Sequence, residues 1–342
     1  MKKWKGDIAF LLIIAALVGG WMQLVPRPGQ SLLSPLDPPV DLGVEPLSYA
    51  SPEGARLAYR LYEPAGEVKH VLVFLHDTLL HGGWYAELGR GLANEGVAVY
   101  LPDRRGWGYS SEEGPPPIPP EACPESERRV RGEGSSRTGS ARTGRRKAAE
   151  DRAVLIADIT AMIAVAQSRY PQREISLGGH GRGAGLAMEY VASRRPVAGV
   201  VLVAPYISDA QPNLDPKGWR QFVRAHPAEA FLAQSGLVDW TVWHVNWPRS
   251  MVEADPLIET ICSISSMQET VPGDVQAAYS ALSVPLLCVL GEDDPLFGAH
   301  DTPALVALFA TPDKQIEIIP GVDYLGVISA AANPIARWLD EK

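Results

Sequence analysis

Glu174-Ile175-Ser176-Leu177-Gly178-Gly179-His180-Gly181-Arg182-Gly183-Ala184-Gly185 is the stretch whose reading decides the fold. Ile175 and Leu177 are strand formers. The glycines that follow permit a turn tighter than side chains allow. Beyond them, 184–194 carries Leu186, Met188, Val191 and Ala192 apolar at helical spacing. The segment predicts a short strand, a sharp turn and a helix, joined through Gly-x-x-x-Gly.

That frame is the one a nucleophile elbow uses, where Gly-x-Ser-x-Gly lifts a serine oxygen onto the top of a sheet. Here it reads Gly179-His180-Gly181-Arg182-Gly183, and its centre is glycine. The frame is present and the oxygen is absent.

Working outward, Val71-Leu72-Val73-Phe74-Leu75, Val97-Ala98-Val99-Tyr100-Leu101, Gly199-Val200-Val201-Leu202-Val203-Ala204-Pro205 and Pro285-Leu286-Leu287-Cys288-Val289-Leu290 are short continuous apolar runs. Such runs predict strands buried on both faces. Strands over 47–50 and 55–62, joined by Ser51-Pro52-Glu53-Gly54, predict an antiparallel start. Helices are expected over 83–95, 149–169, 302–310 and 327–339, and a strand over 315–319. Alternation of this kind predicts an α/β fold, a mostly parallel sheet with helices on both faces. Residues 206–282 show no strand of this type and read as a helical cap. Its tryptophans, Trp219, Trp240, Trp243 and Trp247, could wall an acyl pocket or simply fill the core of that subdomain.

A chain of 342 residues suggests one large domain. Its net charge of -9 argues against a nucleic-acid partner. There is no Gly-x-x-x-x-Gly-Lys phosphate loop and no His/Cys cluster at metal spacing, so neither cofactor nor metal is expected. Cys123, Cys262 and Cys288 are too few and odd in number for a disulfide framework. Cys288 reads as a small core residue, and nothing favours a Cys123–Cys262 bridge.

At the N-terminus, Met1-Lys2-Lys3-Trp4-Lys5 precedes the almost wholly apolar stretch 8–25. Its length just suffices to cross a bilayer, and the lysines would keep their end cytoplasmic. The reading is a retained single-pass anchor with the body on the non-cytoplasmic side. Secretion after cleavage of a signal peptide is the rival. Residues 26–46, rich in proline, form an extended spacer. The domain proper is 47–342, with an insertion over 111–147 whose proline run and Gly/Ser/Arg tract predict disorder.

Four motifs in order carry a family resemblance. Val73-Phe74-Leu75-His76 is followed by His81-Gly82-Gly83-Trp84-Tyr85. Leu101-Pro102-Asp103-Arg104-Arg105-Gly106-Trp107-Gly108-Tyr109-Ser110 comes next, then the elbow, then Leu290-Gly291-Glu292-Asp293-Asp294-Pro295-Leu296. Together they resemble the α/β-hydrolases of the monoacylglycerol lipase/lysophospholipase group, also grouped as serine aminopeptidase-like hydrolases. The resemblance covers about 55–110 and 149–338, and it implies a carboxylic-ester hydrolase acting on acylglycerols or lysophospholipids, with an acyl or lipid ligand.

The chemistry of that group needs a serine nucleophile, a histidine base, a carboxylate that orients the base, and backbone N–H groups that hold the oxyanion. By position, the resemblance puts Gly181 at the nucleophile, Asp294 at the acid and Tyr324 at the histidine, after Pro320-Gly321-Val322-Asp323. The oxyanion donors would be the N–H groups of Thr78 and Arg182. Asp77 stands where the group has glycine, bringing charge to the oxyanion site. Nucleophile and base are therefore both substituted.

Replacements are poor. Ser176 lies within the elbow strand, and Ser110 suits a structural role. His180 is expected to pack aside, and His300 is the best stray base. Tyr324 could donate to Asp294 but is a weak base, with an ordinary pKa of about 10. Glycine at 181 has its own logic, because the strained elbow conformation costs a side chain about 1–3 kcal/mol. The expectation is a membrane-anchored lipase homologue, catalytically impaired, with a binding or scaffold role. The alternatives are an ester hydrolase using non-standard residues such as His300, and a degraded gene copy.

Overall fold

The computed structural model describes residues 40–41, 43–78, 80–110, 152–193, 195–205, 242–244, 247–259, 261–263, 275–294 and 309–342. The expected anchor, the insertion, His300, Cys123, the first part of the spacer and much of the cap lie outside these residues. Among the described residues, no helix is long and apolar enough to cross a membrane.

Among the described residues, eight strands form one sheet. They are β1 (Leu47–Ala50), β2 (Arg56–Tyr62), β3 (His70–Leu75), β4 (Val97–Pro102), β5 (Ile175–His180), β6 (Val200–Val203), β9 (Leu286–Gly291) and β10 (Lys314–Ile319). β1 pairs antiparallel with β2, and β2 with β4; the pairings from β4 through β3, β5, β6 and β9 to β10 are parallel. This is the mostly parallel sheet that the alternating apolar runs and helices predict, with the antiparallel start that the Ser51-Pro52-Glu53-Gly54 turn predicts.

Among the described residues the helices are α1 (Ala86–Asn94), α2 (Arg152–Arg169), α3 (Arg182–Ala192), α4 (Arg249–Ala254), α5 (Val275–Ala281), α6 (Gly326–Ala330) and α7 (Ala332–Asp340). Strand side chains alternate between the faces with period two. Leu72 and Phe74 of β3 join Leu88 and Leu92 of α1 and Ile335 and Trp338 of α7 in one core. Val71, Val73 and Leu75 join Ile159 and Met162 of α2 and Leu186 and Met188 of α3 in the other. Both faces are buried, which is why these strands can be apolar at every position.

Three local details differ from the sequence expectation. The helix expected over 83–95 begins as a 3-10 turn, Gly82–Tyr85, before α1 takes over. The Gly82 N–H is drawn to Asp103 Oδ1 at 2.7 Å and the Gly83 N–H to His81 Nδ1 at 3.1 Å. The helix expected over 327–339 is two helices parted at Ala331. Pro334 has no N–H to offer the carbonyl four residues back, at Ala330, so the ladder breaks there. Within 206–282 lies a two-stranded antiparallel ribbon, β7 (Val242–His244) against β8 (Ile261–Ser263).

Segment 247–259 is pinned to the body by a buried carboxylate. Asp255 accepts from His81 Nε2 at 2.8 Å, from Trp84 Nε1 at 2.7 Å and from the Leu257 N–H at 2.8 Å. His81 Nδ1 also accepts the Gly83 N–H, which leaves Nε2 to donate to Asp255. Burial pushes the Asp255 carboxyl up, but these donors outweigh it and hold the group below its ordinary value. The β4 end is fixed by a second buried pair, Arg60 with Asp103 at 3.2 Å. Asp103 Oδ2 also accepts the Tyr109 N–H, and Ser110 Oγ accepts the Ala58 N–H at 2.7 Å, a structural role.

Candidate functional site

β5 ends at His180 and α3 begins at Arg182, leaving Gly181 alone in the turn with φ 53 and ψ -117. The flanking glycines are required by close approach. A Cβ on Gly179 would lie 2.3 Å from the Gly183 carbonyl carbon, and one on Gly183 would lie 2.3 Å from Leu75 O. The chain thus keeps the geometry of an elbow, with the backbone of 181 in the left-handed half of φ that suits glycine.

The space above Gly181 is filled. A Cβ built there would fall 2.0 Å from Tyr324 Oη and 2.6 Å from Asp77 Cγ. Asp77 reaches in from the loop after β3. Its Oδ1 accepts the Arg182 N–H at 2.9 Å, and its Oδ2 accepts the Tyr324 hydroxyl at 2.6 Å. The N–H expected to face an oxyanion therefore already holds an oxygen of this chain.

Beneath these groups a continuous chain of hydrogen bonds closes on itself. The Asp77 N–H donates to Tyr85 Oη at 2.8 Å. The Tyr85 hydroxyl donates to His180 Nδ1 at 3.0 Å, and His180 Nε2–H donates to the Tyr324 carbonyl at 3.0 Å. His180 lies against the Tyr324 ring, with centroids 4.4 Å apart. Complete burial brings the His180 pKa down to about 4, offset only in part by the Asp77 charge and the Tyr324 carbonyl. Burial and the Asp77 charge raise the Tyr324 hydroxyl well above its ordinary value, and burial with the same charge does so for Tyr85. Both tyrosines are donors here, and neither can act as a base near neutral pH.

The structure brings Asp77, Arg182, Gly181 and Tyr324 into contact, and Asp294 is close enough for its charge to add to the upward shift of Tyr324. Asp294 is buried in the turn after β9, its N–H directed at Gly291 O at 3.4 Å. Thr78 is buried beside Asp77, and its Oγ1 accepts from Arg104 Nη2 at 3.2 Å. Ser176 is buried within β5. The Tyr324 hydroxyl, which the sequence suggested for Asp294, goes to Asp77. Tyr85 and the ring of His180 were not picked out as partners of the site. The available signal was that His180 adjoins Gly181 and that Tyr85 stands in the His81-Gly82-Gly83-Trp84-Tyr85 motif eight residues after Asp77. Among the described residues, no group of three or more His, Cys, Asp or Glu is placed to hold a metal ion.

The family model described as serine aminopeptidase, S33, matches residues 66–323, most of the chain. The chain belongs to this family of α/β-hydrolases, and its likeness is to the monoacylglycerol lipase-like group. It is 23% identical over 305 residues to human monoglyceride lipase, covering 85% of this chain and 88% of that protein. It is 24% identical over 286 residues to the monoacylglycerol lipase of Mycolicibacterium smegmatis, covering 80% of this chain and 88% of that one. The fold is similar to that of a soluble variant of monoglyceride lipase from Saccharomyces cerevisiae in complex with a substrate analog. That match has TM-score 0.63 at 14% identity and covers 93% of this chain and 99% of that one.

Proposed function

We propose that this chain is a lipase-family protein that has given up serine-hydrolase chemistry and serves as a binding or scaffold protein for an acyl lipid. One observation carries the reading. The place of the nucleophile side chain is taken by Tyr324 Oη, 2.0 Å from where a Cβ of residue 181 would be. Without an oxygen at 181 the family's acyl acceptor is missing, and without an imidazole at 324 so is the family's base. The oxyanion N–H of Arg182 is engaged by Asp77. Three of the parts on which acyl transfer depends are thus replaced or occupied. The acyl-lipid class comes from the relatives, whose names are those of monoacylglycerol lipases.

Residues 8–25 would tether the body to a membrane, with the Lys2, Lys3 and Lys5 end cytoplasmic. A serine-reactive fluorophosphonate tests the catalytic half of the proposal. The full-length chain should take no label, while an active lipase treated in parallel should take it stoichiometrically. Labelling that is lost on heat denaturation would refute it. A reporter fused to the C-terminus and active only in the cytoplasm would refute the orientation.

A further inference from the structure

The Asp77 carboxylate is held as a ligand is held. Its two oxygens are taken separately, Oδ1 by the Arg182 N–H at 2.9 Å and Oδ2 by the Tyr324 hydroxyl at 2.6 Å. The first donor opens the 11-residue helix α3, whose end favours negative charge. The second comes from a position 247 residues away in sequence. The main chain of Asp77 is fixed by other bonds. Its N–H donates to Tyr85 Oη at 2.8 Å, and its carbonyl accepts from His76 Nδ1–H at 2.6 Å. His76 is in turn set by the Arg104 N–H at Nε2, 2.8 Å away. The loop does not need the carboxylate to keep its path, so removing the carboxyl group leaves both donors standing around a vacated volume.

We infer that Asp77 is a built-in stopper, an internal carboxylate seated in a carboxylate-binding cradle formed by the Arg182 N–H and the Tyr324 hydroxyl. The inference rests on the non-catalytic reading above and adds the chemical identity of what the site recognises. In the unmodified chain the cradle is satisfied from within. A lipid ligand is then bound through its chain and its other polar groups, and its carboxyl or carbonyl oxygen does not reach Arg182. With the side chain shortened, the same cradle takes an external carboxylate of matching size.

The test is size-matched rescue. Asp77→Ala removes one carboxyl group, the equivalent of formate, and Asp77→Gly removes the equivalent of acetate. Each variant of the full-length chain should melt several degrees lower than the parent and recover at least half of the loss on titration with its matching acid. The recovery should saturate and should not be reproduced by chloride at equal ionic strength. Adding Tyr324→Phe should weaken the apparent affinity about tenfold. The unmodified chain should show no saturable response. If Asp77→Ala folds only with help, its refolding yield should rise with formate and not with chloride. Equal responses to formate and chloride, or a saturable response of the unmodified chain, would overturn the stopper. Neither result bears on whether the unmodified chain hydrolyses esters, so failure of the cradle and failure of the non-catalytic reading are separately visible.

Discussion

The Tyr324 hydroxyl donates to Asp77 Oδ2 at 2.6 Å directly over the Cα of Gly181, in the volume a side chain at 181 would enter. Glycine at 181 and the pair above it are therefore one packing solution. Gly181→Ala should destabilise the fold by about 2–5 kcal/mol, combining a left-handed backbone with overpacking against buried polar groups. Chemical denaturation would show it as a lower midpoint at unchanged slope. A neutral result would mean that Tyr324 can swing aside at little cost.

Tyr324→Phe keeps the ring against His180 but strips Asp77 Oδ2 of its donor. A buried acceptor left unsatisfied costs about 1–3 kcal/mol. Adding Gly181→Ala should cost less in this background than in the parent, because the hydroxyl nearest the new Cβ is gone. A double-mutant cycle measures that coupling, and strict additivity would separate the two residues.

Acid should weaken the fold through His180. Its pKa is brought from 6.5 to about 4 by burial, so between those values the unfolded chain binds a proton that the folded chain refuses. Stability then falls as pH drops from 6.5 toward 4, by roughly 3 kcal/mol in total, and this contribution is constant above 6.5. His180→Gln should flatten that limb of the stability profile measured by urea unfolding. An unchanged slope in the variant would place the acid sensitivity elsewhere.

Asp255 holds segment 247–259 on the body through His81 and Trp84. Asp255→Ala removes the acceptor for three buried donors and should cost about 3–5 kcal/mol. The fluorescence of the nearly buried Trp84 should shift to the red in the folded variant as water reaches its indole. The carboxyl is held below its ordinary 3.8, so it contributes stability above that value and loses it as pH falls through the folded value.

The sheet was readable because its evidence is local. Strands β3, β4, β6 and β9 are each a continuous apolar run, and the elbow announces itself through glycines that must touch backbone at Gly179 and Gly183. The departures from the family pattern at Asp77, Gly181 and Tyr324 were readable one at a time. Their union was not, since it depends on volumes exchanged across 247 residues, and no periodicity reports that. The compensation was nonetheless written in residue types. One position loses its side chain while two others gain larger ones. The split between α6 and α7 follows a rule about Pro334 that the apolar spacing of 327–339 overrode. The β7–β8 ribbon is three residues per strand, too short for alternation to register.

The rate of monoacylglycerol hydrolysis by the unmodified chain, followed in a pH-stat beside Gly181→Ser/Tyr324→His/Asp77→Gly, tests the loss of catalysis most directly. The unmodified chain should show no rate above the uncatalysed reaction. Gly181→Ser alone should stay nearly inert, since removing one triad member already abolishes most of the rate. The triple variant should regain measurable turnover if Asp294 can orient the new histidine. Sustained turnover by the unmodified chain, abolished by His300→Ala, would contradict a non-catalytic protein and establish an ester hydrolase built on other residues.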